Sequence, residues 1–236
     1  VLTGEFWIGG AMEGNLVPIV RAARHWKKNV VAAESFTTEA KDGRWQITPD
    51  QLRRVGDAAW ALGVNQFVLH SYLHQPYVNR RPGTSLQRHG TQLNVNTTWW
   101  PEARWWGDYV RRGQALLQYG RPGVSSDGVA AADLPSGLRA LRREGADGER
   151  IYFIVNTTDV PFCGAVGLCA PKGSVPELFD AKAGLVMAMS CPSPDKDGRV
   201  RVNVDLSAKG SAFVVFSPAS SAVVVATRPD PRPVFE

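Results

Sequence analysis

Two hydrophobic periodicities divide this chain. Up to about residue 120, short apolar runs alternate with longer stretches whose apolar positions recur every three or four residues. Residues 2–8 read as a strand ending in Gly9-Gly10. Asn15 is expected to cap a helix running through Lys28, with Leu16, Ile19, Val20 and Ala23 on one face and Pro18 tolerated in its first turn. Residues 30–36 form a short apolar run that ends around a carboxylate, Glu34, and read as a buried strand. Thr48-Pro49-Asp50-Gln51 has the chemistry of a helix start: Thr48 as cap, Pro49 first, Gln51 closing a capping box. Gly63 is a left-handed stop for that helix. Residues 66–70 predict another buried strand, 71–96 a long polar loop, and 101–119 a helix ending at Gly120, with Tyr109, Ala115, Leu116 and Tyr119 among its apolar positions. Strand, helix, strand, helix, strand, loop, helix is the order of βαβ units on a parallel sheet.

The pattern changes after Arg121. Residues 122–137 are rich in Gly, Ser, Ala, Asp and Pro, and beyond them the period becomes two. Residues 138–142, 150–155, 164–169, 200–204 and 212–216 read as short strands, and Val223-Val224-Val225 as a last one. Gly145-Ala146-Asp147-Gly148 and Asp195-Lys196-Asp197-Gly198 read as hairpin connections. The fold class expected is therefore α/β plus all-β: part of a (β/α) TIM-type barrel over residues 1–120, a linker over 121–137, an antiparallel β-sandwich over 138–227 and a fraying tail over 228–236. Three such strands cannot close an eight-stranded barrel.

With 236 residues and a 44% hydrophobic share, the chain can bury a core. The net charge of +5 comes from scattered arginine pairs, which read as solvated faces and not as a nucleic-acid groove. No apolar run is long enough to span a bilayer, which argues against a membrane partner. Cys163, Cys169 and Cys191 show neither metal nor redox spacing and read as buried free thiols. Val1 leads almost at once into Gly4-Glu5-Phe6-Trp7, which reads as sequence from within a domain.

Glu5 and Glu34 come at equivalent places on consecutive strands, which in a barrel puts both at one rim. Two carboxylates there suit glycoside hydrolysis and can equally hold a hard cation such as calcium. His70 and His74 follow the third strand with Tyr72 between them; without further ligands in view they suit hydrogen bonds to a polyhydroxylated ligand better than zinc. Trp7, Trp99 and Trp100 lie near loops and can stack on sugar rings, whereas Trp105 and Trp106 read as helix core. No glycine-rich phosphate loop and no Gly-x-Ser-x-Gly elbow occur.

Gly4-Glu5-Phe6-Trp7, Val31-Ala32-Ala33-Glu34-Ser35-Phe36-Thr37, the run from Gly63 to Pro76, Pro82-Gly83 and Asn96-Thr97-Thr98-Trp99-Trp100 resemble glycoside hydrolase family 106, the α-L-rhamnosidase-like enzymes. Pro176-Glu177-Leu178-Phe179-Asp180 and residues 209–216 resemble the β-domain that follows the barrel in such proteins. The resemblance implies a C-terminal portion of a barrel with appended β-domains, inverting hydrolysis of α-L-rhamnosides, a bound calcium ion, a rhamnose-containing oligo- or polysaccharide as partner, and a secreted or periplasmic location. By the same analogy Glu34 is the general base, and Glu5 serves the reaction or binds calcium. Trp7, His70, Tyr72, His74, Trp99 and Trp100 would contact the sugar. The early strands of such a barrel, and with them the general acid, have no counterpart in this sequence. The rival readings are a non-catalytic carbohydrate-binding protein and a structural fragment with no site.

Overall fold

The computed structural model describes residues 1–39, 45–77, 79–86, 89–123, 132–196 and 198–218. The proposed last strand at Val223, the fraying tail and the centre of the expected linker lie outside the described residues. The first block runs β1 (Leu2–Trp7), α1 (Glu13–His25), β2 (Val31–Thr37), α2 (Pro49–Leu62), β3 (Gln66–Leu69), a 3₁₀ turn (Trp100–Glu102) and α3 (Ala103–Gln118). β1, β2 and β3 form a three-stranded parallel sheet in that order. After it come β4 (Arg121–Pro122), β5 (Ala132–Asp133), β6 (Leu138–Glu144), β7 (Arg150–Asn156), β8 (Phe162–Cys169), β9 (Ser174–Asp180), β10 (Leu185–Ala188), β11 (Arg199–Leu206) and β12 (Ser211–Pro218). These make a six-stranded sheet, β10-β9-β12-β7-β6-β4, and a three-stranded sheet, β11-β8-β5. Every pairing in both is antiparallel.

The α2 start is as its sequence dictates. The Thr48 hydroxyl accepts from the Gln51 amide, Gln51 reaches back to the Thr48 amide, and Gly63 ends the helix at φ 113°. α1 differs: Met12, with no capping side chain, precedes a helix that begins at Glu13, so Asn15 is not the cap. Pro18 then falls beyond the first turn. It is tolerated because Pro18 and Gly14 both face solvent, where the carbonyl deprived of its amide partner can meet water. β3 is not buried: it is the sheet edge, and at its C-terminal end Val68 is 48% and Leu69 42% exposed. The turn over Asp195 to Gly198 closes onto Arg199, but it joins strands of different sheets and is no hairpin. The cysteines are free, with Cys163 and Cys191 exposed and not buried.

The six-stranded sheet is covered on both faces. Ile151, Phe153, Val155, Phe213 and Val215 join Trp60 of α2 and Tyr109 and Leu117 of α3 in one cluster. Their neighbours Tyr152, Ile154, Val214 and Phe216 join Val166, Leu168, Val200, Val202, Val204 and Leu206 of the smaller sheet. That is why β7 reads as a continuous apolar run and not as an alternation.

Trp60 is the junction. It is fully buried, lies parallel to Phe67 of β3 at 5.4 Å, and meets Tyr109 at 5.3 Å and Phe153 edge-on at 5.7 Å. α3 approaches it through Gly113, where a β-carbon would stand 2.3 Å from Trp60 Cη2. Beside it, Asp57 is wholly buried and accepts from Arg53 at 2.9 Å, from Ser211 at 2.8 Å and from Tyr109. Arg53 also donates to the Lys209 carbonyl at 3.2 Å, so one polar knot ties α2 and α3 to the loop entering β12. Burial pushes the Asp57 carboxyl up to about 6, against the pull of Arg53 and the hydroxyl donors.

Two outcomes are expected in denaturant titrations of this chain. Gly107, on the same helix, has open space where a β-carbon would go, so Gly107→Ala stabilises by about 0.8–1 kcal/mol through helix propensity. Gly113→Ala instead destabilises, because overpacking of about 1–3 kcal/mol exceeds that gain. The second outcome concerns pH. The folded pKa of Asp57 lies above its unfolded value, so its contribution is full below about pH 4 and is lost as pH rises through about 6. Stability therefore falls across that window, and Asp57→Asn removes the fall; an unchanged slope in the variant contradicts the assignment.

Candidate functional site

The side chains of β1 are sorted by what lies beneath them. A β-carbon at Gly4 would touch Leu16 and Ile19 of α1 at 3.2 and 3.4 Å, so the helix packs directly on this backbone. Phe6, on the same face, is fully buried among Phe36, Phe67 and their neighbours. Alternation then turns Glu5 and Trp7 to the opposite face. In the pairing of β1 with β2, Glu5 stands directly across from Glu34. Adjacent strands run about 4.8 Å apart, so the two carboxylates are neighbours at the backbone.

They lean on different partners. The Trp7 indole N–H donates to Glu5 Oε1 at 3.2 Å. Glu34 Oε1 lies 4.0 Å from His70 Nε2, just past the end of β3. The His70 amide continues the ladder onto the Ser35 carbonyl at 3.0 Å, and its Nδ1 is buried without a hydrogen-bond partner among the described residues.

A latch that the sequence reading missed holds this rim. Ser71 and His70 exchange backbone bonds of 3.3 Å with Thr91. The Thr91 hydroxyl donates to the Phe36 carbonyl at 2.6 Å, and the Thr38 hydroxyl to the Gly90 carbonyl at 2.9 Å. Phe36 is the extra residue where the β1–β2 register shifts, and it sits at φ 71°, a left-handed conformation costly for a bulky residue. The latch brings His89 to the site. Its ring meets Trp7 at 5.7 Å, and its Nδ1 lies 3.9 Å from a further carboxylate, Glu39. No periodicity points to Glu39 or His89, since both lie in irregular backbone.

Tyr72 is 62% exposed and lies 6.0 Å from the Trp100 ring, which in turn adjoins Trp99 at 6.3 Å. Trp99 spends its N–H on the Ile47 carbonyl at 2.8 Å, so its polar end faces the protein. Trp105 and Trp106 pack with the core, as read from the sequence. His74 is exposed, and no contact joins it to the other site residues among the described residues. Calcium takes six to eight oxygens. Among the described residues no group of three or more His, Cys, Asp or Glu side chains converges.

Replacing Thr91 with Val should strip the Phe36 carbonyl of its buried donor. The expected loss is about 1–3 kcal/mol of stability, with faster hydrogen exchange at the Ser71 and Gly90 amides. Unchanged exchange there would mean that the latch does not hold the rim.

Comparison with known proteins places these residues. The sequence profile of a glycoside hydrolase family, family 106, described as alpha-L-rhamnosidase, matches residues 4–129. A protein of Formosa agariphila named "Putative beta-glucuronidase" is 39% identical over 118 residues, which is 50% of this chain and 10% of that protein. The structure of a rhamnosidase from Novosphingobium sp. PP1Y superposes with a TM-score of 0.78 at 17% identity, covering 100% of this chain and 36% of that one. The chain thus spans well under half the length of either relative.

Proposed function

The chain belongs to glycoside hydrolase family 106, and on that premise we propose that it is a segment of an enzyme that hydrolyses α-L-rhamnosides with inversion. The observation that carries the proposal is the pairing of Glu5 with Glu34 at one end of parallel strands, beside His70 and under an aromatic rim. Glu34 acts as general base, drawing a proton from water, with His70 at its side. Inversion needs acid and base about 6.5–9.5 Å apart. A neighbour at strand spacing is too near to be the natural partner of Glu34, so Glu5 supports the charge of the site and the acid comes from elsewhere in the enzyme. Trp7, Tyr72 and Trp100 offer ring faces to the sugar, and Trp99 adjoins Trp100; His74 would reach the sugar from the loop. On this reading the three parallel strands are a portion of a (β/α) barrel and the two antiparallel sheets the appended sandwich; the parallel order β1-β2-β3 and the family match support it. Calcium at Glu5 and a secreted or periplasmic location belong to the same proposal. They rest on the family.

A second substrate, a β-glucuronide, has the name of the Formosa relative behind it. Assay of the full-length parent on aryl α-L-rhamnosides and aryl β-glucuronides separates the two. Glu34→Gln keeps shape and one acceptor but cannot take a proton. It should lower rhamnoside turnover on the order of 10²–10⁴-fold while sugar binding by calorimetry persists. Near-normal turnover in that variant rejects Glu34 as base.

A further inference from the structure

From Gln66 to Pro101 the chain carries Arg80, Arg81 and Arg88 and three of its four histidines, but no aspartate or glutamate. Beyond β3 this stretch is a loop up to the turn at Trp100. It leaves the sheet at Ser71 and returns to it at Thr91, where the two ends exchange backbone bonds. Between them Gln75 pinches the neck. Its side chain donates to the Thr84 carbonyl at 2.8 Å and accepts from the Thr84 amide at 2.7 Å and from Asn96 at 3.3 Å. Gly83, at φ 105°, lets that neck close: a β-carbon there would stand 2.2 Å from Gln75 Oε1 and 2.4 Å from Asn96 Nδ2. The loop tip is therefore fastened near Asn96, three residues before Trp99, and not left to drift from the aromatic rim.

At this tip Tyr77 is 55% exposed, and the Arg80 guanidinium stacks over its ring at 4.7 Å from the centroid. Arg80 and Arg81 are exposed, and neither makes an ion pair among the described residues. Elsewhere on the surface, arginines such as Arg54, Arg139 and Arg201 have carboxylate partners. Two exposed arginines that pair with no acid among the described residues, one of them oriented by an aromatic face, have donors left for an anion. The carboxylates Glu5 and Glu34 would repel an anionic group on the sugar held between them, so such a group fits only on a flanking unit.

We propose that Tyr77, Arg80 and Arg81 bind an anionic substituent, a carboxylate or a sulfate ester, on the sugar next to the one held at Glu5 and Glu34. This rests on the glycoside hydrolase reading and adds the class of glycan to it. The test uses the full-length parent and three matched α-L-rhamnosyl disaccharides whose second sugar is neutral, carries a 6-carboxylate or carries a sulfate ester. The Arg80→Gln/Arg81→Gln double variant should raise KM for one or both charged disaccharides roughly tenfold to a hundredfold and leave the neutral one unchanged. The neutral substrate thus reports that the variant is folded and active, and the two charged ones separate carboxylate from sulfate. Added salt should weaken only the charged substrates in the parent. Equal effects on all three, or none on any, overturn the anion site while the hydrolase reading stands. If the parent cleaves none of them, the hydrolase reading fails. Calorimetry then decides the anion site alone: tighter binding of a charged disaccharide that the double variant loses supports it, and equal binding of all three ends it.

Discussion

One contact sets the architecture: the Trp60 ring seated on the bare backbone of α3 at Gly113. Any side chain at position 113 would drive the helix off the indole, and the indole is what the layers share. One ring face lies parallel to Phe67 of the parallel sheet, and its edge meets Phe153 of the six-stranded sheet. Helices α2 and α3 are thereby the common wall of two sheets that have no strand in common. The polar knot around Asp57 closes the same wall. A buried carboxylate is costly, yet three donors from three separate elements converge on it, so each element is fixed in register by a group none can abandon cheaply.

That wall decides where chemistry can lie. Helix packing takes one face of the parallel sheet and claims Phe6, Phe36 and Phe67. The opposite face is left to Glu5, Trp7, Glu34 and Val68. The carboxylates are thus presented because the aromatic residues beside them are consumed by the core. The rim is then held by hydroxyls and not by apolar contacts: Thr38 and Thr91 bind carbonyls of the opposite segment, one of them on the strained Phe36. A strained residue held by a side-chain donor next to two opposed carboxylates is backbone cost spent on positioning.

The legible parts of the sequence were those whose signal is local. The α2 cap and its glycine stop follow from residue chemistry within a few positions, and the pairing of β1 with β2 from one strand–helix–strand period. β9 and β10 were not legible as strands, because Pro176 interrupts one and the other is four residues long and half exposed. The exposure of β3 is not legible, because an apolar run says nothing of how far it is covered. The start of α1 differs from the sequence expectation because Asn15 is a good cap in isolation, while the Met12 carbonyl opens the ladder. At the site, Glu5, Glu34 and His70 announced themselves by position after apolar runs. Glu39, His89 and the Asp57 knot did not, since each depends on partners distant in sequence. Ser211 meets Asp57 across 154 positions, a relation no periodicity carries.

The distribution of charge around the rim is the last constraint. Carboxylates sit on the strands, where the sheet fixes their spacing, and Arg80 and Arg81 sit on the loop after β3, in a stretch without aspartate or glutamate of its own. Under the proposed anion site at Arg80 and Arg81, an anionic group is drawn to the loop and repelled by the strand carboxylates, and that pair of forces orients a ligand. It also follows why the loop must be pinched at Gln75 and Gly83: a cation on a freely moving tip would average over directions, and the orientation would be lost. The rigidity of the neck and the absence of acids from the loop are therefore two parts of one arrangement, each of little use without the other.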